Sequence, residues 1–399
     1  MTVAVLITLS LLVLIAYAFD ISASKTKIPS VILLLTLGFI VRITTNYSGI
    51  VMPDLSPILH ILGTLGLILI VLEGSLELEI NKDKIHMIVK SALVAFIPII
   101  LLSLGLAYFI YYYYNIPLKI ALANAIPLAI ISSAIAIPSA QNLSNEKKEF
   151  VTYESSISDI FGVILFNFFT LNDYIDIESI GIFSLQMVIM LIVSLVATLL
   201  LAGFLNKIKH HVKFIPMMVF LVLIYSIAKI FHLPSLIFIL IFGLFVGNID
   251  ELRHIKFIQR FHPVNFSNDV HKFKEITTEI AFLIRSLFFI LFGYLIDAHE
   301  VLNTDTLALS LSITVAIFII RFVILFLFKT PRLPLLFIAP RGLITILLFL
   351  SIPISQQIPY INKSLIIQVI VLTAIIMMIG LMNFNEPISE DDKARNNCS

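Results

Sequence analysis

The sequence predicts an all-α polytopic membrane protein of about thirteen transmembrane helices, arranged as two inverted six-helix repeats. Two compositional facts and one pattern carry that prediction. Of the 399 residues, 59% are hydrophobic and only 13% charged, with a mean hydropathy of +1.06; a soluble chain carries roughly a quarter charged residues. Apolar runs recur from end to end, each close to the ~20 residues needed to cross a hydrocarbon core. A Pro-Ser…Gly pattern appears once in each half. The net charge of +1 argues against a nucleic-acid partner. The single cysteine, Cys398, excludes an intrachain disulfide and leaves no zinc-binding set.

The spans fall at 2–19, 28–44, 57–80, 88–114, 119–141, 151–171, 180–206, 213–231, 233–249, 276–296, 306–328, 333–356 and 363–384. In the first, Ala16–Tyr17–Ala18 mimics a signal-peptidase site, but the basic n-region is missing, so the segment reads as a retained span. Short loops make neighbours antiparallel. The one long connection, 250–275, is polar and basic and is expected at the membrane surface. Residues 1–388 form one transmembrane unit: repeat one over 1–171, a connector helix over 180–206 and repeat two over 213–384. A polar tail, 389–399, follows.

Charge sets the orientation. With the N-terminus outside, nineteen of the 26 Lys and Arg residues fall on inner loops, four (Arg42, Lys119, Lys229 and Lys363) at outer ends, and three within spans. An excess of Lys and Arg marks the cytoplasmic side, so the C-terminus is expected inside, in the plasma (inner) membrane of the cell. The run Tyr111–Tyr114 then falls at an outer interface, where an aromatic belt belongs.

The repeat is visible in IPSVILLLTLGFIV at 28–41 and LPSLIFILIFGLFV at 233–246: Pro29, Ser30 and Gly38 reappear as Pro234, Ser235 and Gly243. These are spans two and nine, an odd number of crossings apart, so the copies are inverted. Extension pairs spans 1–6 with 8–13. Inverted repeats mark secondary transporters, whose ion sites lie where interrupted helices correspond in the two halves. Spans five (LAIISSAIAIPSAQ) and twelve (LFIAPRGLITI) correspond in this way, and Pro138, Pro340 and Gly342 are the expected helix breaks. A proline frees a backbone carbonyl, which in lipid must find a partner, a cavity or an ion. Ser132 and Ser133 lie in the same stretch of span five as Pro138.

Span six opens TYESSISDIFGVILF. Asp159 lies about eight residues, roughly 12 Å, from its inner end. Glu154 with Ser158, and Ser155 with Asp159, are four apart and share one broad face. A charge at this depth costs at least about 2.5 kcal/mol and is rarely idle. Glu154 is expected to be a structural partner of Arg341. Arg321, roughly 12 Å from the inner end of span eleven, reads as a snorkelling side chain. Arg285 pairs with Glu73 or Glu279, the residues not deciding between them. Glu73 lines an inner funnel or caps its helix end. The nine histidines fall at span ends or in loops, which indicates no histidine proton relay.

At these residues the chain resembles the monovalent cation:proton antiporters, and among them the NhaP-type sodium/proton exchangers, over essentially all thirteen spans. ESSISD is similar to that family's Glu-Ser-x-x-Asn-Asp element and places Glu154, Ser155 and Asp159 on the Glu, the Ser and the transport Asp. APRG is similar to its Gly-x-Arg-Gly element and places Arg341 on the arginine that pairs with the Glu. LEGSLEL resembles the third-helix pattern, with Glu73 facing the ion funnel. The resemblance implies a homodimer, crossed discontinuous helices 5 and 12, elevator-like alternation, and no cofactor beyond the transported H⁺ and Na⁺ or K⁺. Two departures stand out. The usual Thr-Asp at the break of helix 5 is replaced by a segment offering Ser132 and Ser133 but no acid, and the Asn before the transport Asp is Ser158.

The expected activity is therefore exchange of a monovalent cation (Na⁺, K⁺ or Li⁺) for H⁺ in a bilayer, electroneutral because one carboxylate holds one ion or the other. Asp159, Ser155, Ser132 and Ser133 are the expected ion and proton ligands. The alternative, a sodium-coupled organic-anion symporter, needs a polar pocket for a carboxylate, and the spans are poor in Asn, Gln and Thr. An enzyme would need paired catalytic groups, and a channel a polar-lined pore; neither pattern is present.

Overall fold

The computed structural model describes residues 2–26, 28–49, 53–78, 84–172, 176–207, 214–231, 233–248, 266–331 and 333–384. Among these, ten helices are long and apolar enough to cross a bilayer, and two further apolar helices are shorter. In chain order the α-helices are α1 (Thr2–Thr26), α2 (Ser30–Tyr47), α3 (Ser56–Glu77), α4 (Ile85–Tyr114), α5 (Leu118–Ala129), α6 (Ser133–Ser139), α7 (Asn145–Leu171), α8 (Ile177–Lys207), α9 (Phe214–Ile230) and α10 (Ser235–Gly247). Then follow α11 (Phe266–Tyr294), the short α12 (Ala298–Val301), α13 (Thr304–Leu327), α14 (Leu343–Ser351) and α15 (Lys363–Asn383), with a 3-10 turn at Leu335–Phe337 before α14. Counting α5 with α6 as one crossing, and the Leu335–Phe337 turn with α14 as another, gives the thirteen spans.

Local chemistry marks the ends. Pro29 and Pro234 stand at the N-caps of α2 and α10, where a missing N–H costs nothing. Asp54 accepts the Ser56 N–H at 3.0 Å and Asp176 the Ser179 N–H at 2.7 Å, and these bonds hold both carboxyls below their ordinary value. Asn303 and Asn362 cap α13 and α15 in the same way. One boundary moves substantially: α11 begins at Phe266, so residues 266–275 of the expected surface connection are helical. The remainder of that connection from 250 to 265 lies outside the described residues, as does the 389–399 tail with Cys398.

Packing divides the helices into two groups. The first holds α1–α3 and α8–α11, with α11 packed on α2 and α3, and α10 on α3 and α8. The second holds α4–α7 and α13–α15, with α4 on α5 and α7, and α13 on α4 and α15. The linker between α11 and α13 is tied on both sides. Arg42 of α2 pairs with Asp297 and donates to the Ile296 carbonyl, while Lys363 of α15 pairs with Glu300 at 3.1 Å and donates to the Leu295 carbonyl.

The inverted repeat is built into these contacts. Gly38 of α2 lies so close to α11 that a Cβ there would collide with the backbone of Ile290 and Tyr294. At its repeat mate Gly243 of α10, a Cβ would collide with the Ser75 side chain of α3 and fall 3.3 Å from the Leu72 carbonyl oxygen. The two repeats therefore exchange partners: span two meets span ten, and span nine meets span three. Only glycine lets the helices approach so closely at these two points.

Candidate ion site

The site begins where two helices stop. α5 ends at Ala129, Ile130–Ser132 run extended, and α6 restarts at Ser133. In the other repeat the Leu335–Phe337 turn is followed by an extended 338–342 and then α14. The two extended stretches touch: the Ser132 N–H donates to the Pro340 carbonyl at 2.9 Å. A Cβ on Gly342 would fall 2.8 Å from Ser132 Oγ and 2.6 Å from Ile135 Cδ1, so a side chain here would press on both residues. Pro340 and Gly342 lie at their break as expected. Pro138 does not: it sits inside α6, and the first break lies six to eight residues earlier. Pro127, inside the last turn of α5, is the proline nearest that break.

Each break is stitched to the following span by one hydroxyl. The Ile131 N–H donates to Ser158 Oγ of α7 at 3.0 Å. The Arg341 N–H donates to Thr373 Oγ1 of α15 at 3.1 Å. These are the same bond in the two repeats. Ser158, where the resembling family has Asn, thus serves as a hydrogen-bond acceptor for an N–H that a helix would otherwise have used.

Arg341 does not pair with Glu154, and that expectation is corrected. Its guanidinium donates to the Leu128, Ala129 and Ala339 carbonyls at 2.7, 3.2 and 3.1 Å. Two of these are carbonyls left free at the end of α5, which carries the partial negative charge of a helix C-terminus. Glu154 pairs with Arg321 of α13 instead, Nη1 and Nη2 lying 2.5 and 3.0 Å from its two oxygens, while Arg321 Nε donates to the Leu335 carbonyl at 2.9 Å. Both side chains are buried (3% and 2% exposed), so Arg321 does not snorkel. A bidentate pair in which all three guanidinium nitrogens have an acceptor is the form in which a buried ion pair is tolerated.

Asp159 is buried with no ion-pair partner among the described residues. Its Oδ2 accepts the Ser133 hydroxyl, at the first residue of α6. Its Oδ1 has no partner, and neither has Ser156 Oγ one turn away. Both residues line a narrow cavity of about 20 Å³ between α3, α7 and α10, walled also by Ser75 and Gly74. That is room for one water-sized particle. Ile70 and Gly74 also line a second cavity of about 370 Å³, which holds Asp20, Glu73, Glu77, Arg285 and Ser133. The wide cavity, which lies where α3 finishes, thus adjoins the narrow one, and Ser133 on its wall is the residue that donates to Asp159. In that cavity Arg285 stands 3.7 Å from Glu73, which settles the partner the sequence left open.

Of the expected ligands, Ser133 touches Asp159. Ser132 spends its backbone N–H on the crossing and packs against Gly342. Ser155 donates to the Val151 carbonyl at 2.7 Å and lines neither cavity. The hydroxyl beside Asp159 that sequence reasoning missed is Ser156. Its three-residue spacing from Asp159 was a usable signal, since residues three apart share a helix face as residues four apart do. Among the described residues no cluster of three or more His, Cys, Asp or Glu forms a multidentate metal site.

The family profile described as "Sodium/hydrogen exchanger, transmembrane" matches residues 9–383. No curated protein matches the sequence significantly. Two solved structures of the sodium proton antiporter MjNhaP1 from Methanocaldococcus jannaschii share the fold. One, at pH 8, has a TM-score of 0.68 at 19% identity and covers 97% of this chain and 100% of that one. The other, an electron-microscopy map, has 0.66 at 18% and covers 96% and 95%.

Proposed function

Because the chain belongs to the sodium/hydrogen exchanger family, we propose that it exchanges one monovalent cation for one H⁺ at Asp159. The observation that supports this reading is the state of that carboxyl: buried, held on one oxygen by Ser133, and unpartnered on the other beside Ser156 and a particle-sized cavity. Hard cations take oxygen ligands, and Asp159 Oδ1 with Ser156 Oγ supplies two.

Glu154 is matched by Arg321, and Arg341 by the carbonyl end of α5. Asp159 is left as the uncompensated buried charge. Moving that charge bare through a low-dielectric barrier is costly, and either a proton or a cation removes the cost. One carboxylate does not hold both, so the two ions exchange one for one and no net charge crosses. The helix group α4–α7 with α13–α15 carries the site past the group that holds α3 and α10, which is an elevator motion. The wide cavity faces the cytoplasm in the orientation set by the Lys and Arg bias, and a second copy of the chain completes a homodimer. The acidic wall of Asp20, Glu73 and Glu77 concentrates cations and disfavours an organic anion.

In proteoliposomes carrying a pH-sensitive dye, addition of Na⁺, K⁺ or Li⁺ should collapse an imposed pH gradient without generating a membrane current. A cation-driven current would overturn one-for-one exchange. No pH response to any of the three would overturn the reading altogether.

A further inference from the structure

At the opposite end of α3 from the wide cavity lies a smaller one of about 30 Å³, bounded by α3, α9 and α14. The repeat maps one cavity onto the other. The register that sets Gly38 on Gly243 sets Asp20 on Tyr225. The glycine contacts set Leu72 on Ile290, and so His60 on Thr278 and Leu67 on Arg285. The matched hydrogen bonds set Ile131 on Arg341, and so Ile137 on Leu347 and Gln141 on Ser351. Asp20, Thr278, Arg285, Ile137 and Gln141 all line the wide cavity. Tyr225, His60, Leu67, Leu347 and Ser351 all line the small one.

Five coincidences from three independent registers make the small cavity the counterpart of the wide one in the other repeat. Its charge is reversed. The wide cavity holds three acids against Arg285; the small one holds Lys229 and His60 and no acid. Resting on the exchange proposed above, we infer that Lys229 is a specificity-determining residue of the opposite-face passage, weakening cation capture from that face. A cavity lined by one sign of charge with low-dielectric walls shifts the local ion concentration. Cations are thus gathered on the acidic side and shed on the basic side, while the gradients alone still set the net direction.

The test uses the full chain with Cys398→Ser, and adds Ser351→Cys or Gln141→Cys. Membrane-impermeant methanethiosulfonate reagents, one anionic and one cationic, are applied to right-side-out and inverted vesicles. The Ser351→Cys chain should label from one face and the Gln141→Cys chain from the other. Adding Lys229→Glu should lower the anionic-to-cationic rate ratio at position 351 by about three-fold or more and leave position 141 unchanged. The same substitution should lower the cation KM by about three-fold in vesicles that present the opposite face, and not in the others. Labelling of both positions from one face, or a reagent ratio indifferent to Lys229→Glu, would overturn the passage. A cation KM that changes equally on both faces, or on neither, would overturn the role of Lys229. Labelling as expected in a chain that transports no monovalent cation would uphold the passage and its charge, and remove the exchange reading instead.

Discussion

Arg321 holds both carboxylate oxygens of Glu154, across from α13 to α7, with neither side chain more than 3% exposed. The pair links the two repeats inside the group of α4–α7 with α13–α15 and releases Arg341 to cap the end of α5. Removing one member strands the other, which typically costs about 3–5 kcal/mol. Arg321→Ala should therefore lower the unfolding temperature in detergent markedly. Arg321→Lys should recover little of it, since an ammonium does not reproduce the two-pronged contact. Exchanging both members for apolar residues of similar volume should restore most of the stability.

Asp159→Asn keeps the shape of the side chain and an acceptor for Ser133 while removing the charge. Exchange should vanish, and the unfolding temperature should hold or rise because a buried unpaired charge is gone. Retained exchange in this variant would place the ion elsewhere.

The serines separate by contact. Ser156→Ala removes an unpartnered oxygen beside Asp159, and Ser133→Ala removes the hydroxyl that donates to it. Each should raise the cation KM by about three- to tenfold, the worth of one modest polar contact. Ser155→Ala removes a bond to the Val151 carbonyl and should leave KM within about twofold, with at most about 1 kcal/mol of stability lost.

The proposed competition for a single carboxylate sets the expected pH response. Where the proton holds the site, the apparent cation KM should rise about tenfold for each unit of acidification, by mass action, with the maximal rate unchanged. Initial rates across pH and cation concentration check this. A maximal rate that falls while KM stays constant would mean the two ions do not share a site.

Gly38→Ala and Gly243→Ala each press a methyl group into a neighbouring helix. Gly38 faces backbone, which cannot step aside; Gly243 faces the Ser75 side chain first. Both should destabilise by about 1–3 kcal/mol, Gly38→Ala more than Gly243→Ala, as read by thermal unfolding.

The thirteen spans were legible because the bilayer requires ~20-residue apolar runs, and the repeat because glycine recurs where helices touch. The pairing of Glu154 was not. Arg321 and Arg341 both lie within spans, and depth alone does not say which helix faces which. The choice between Ser155 and Ser156 turned on a single residue step, about 100° around α7, which packing decides. The first break was misplaced because a proline is tolerated inside a short helix such as α6, while the unwinding occurs where Ser158 and Pro340 supply other partners for the freed N–H groups of Ile131 and Ser132.

The bond from Ser132 to the Pro340 carbonyl makes the crossing a scrap of two-stranded ribbon inside a helical protein, fastened at each end by Ser158 and Thr373. Such a clasp resists being pulled apart by one strand at a time. On the proposed mechanism the cargo accordingly keeps its oxygen neighbours throughout the journey. What alternates is the water that can reach it, so selectivity among alkali ions should be alike from either bathing solution even where capture strength is not.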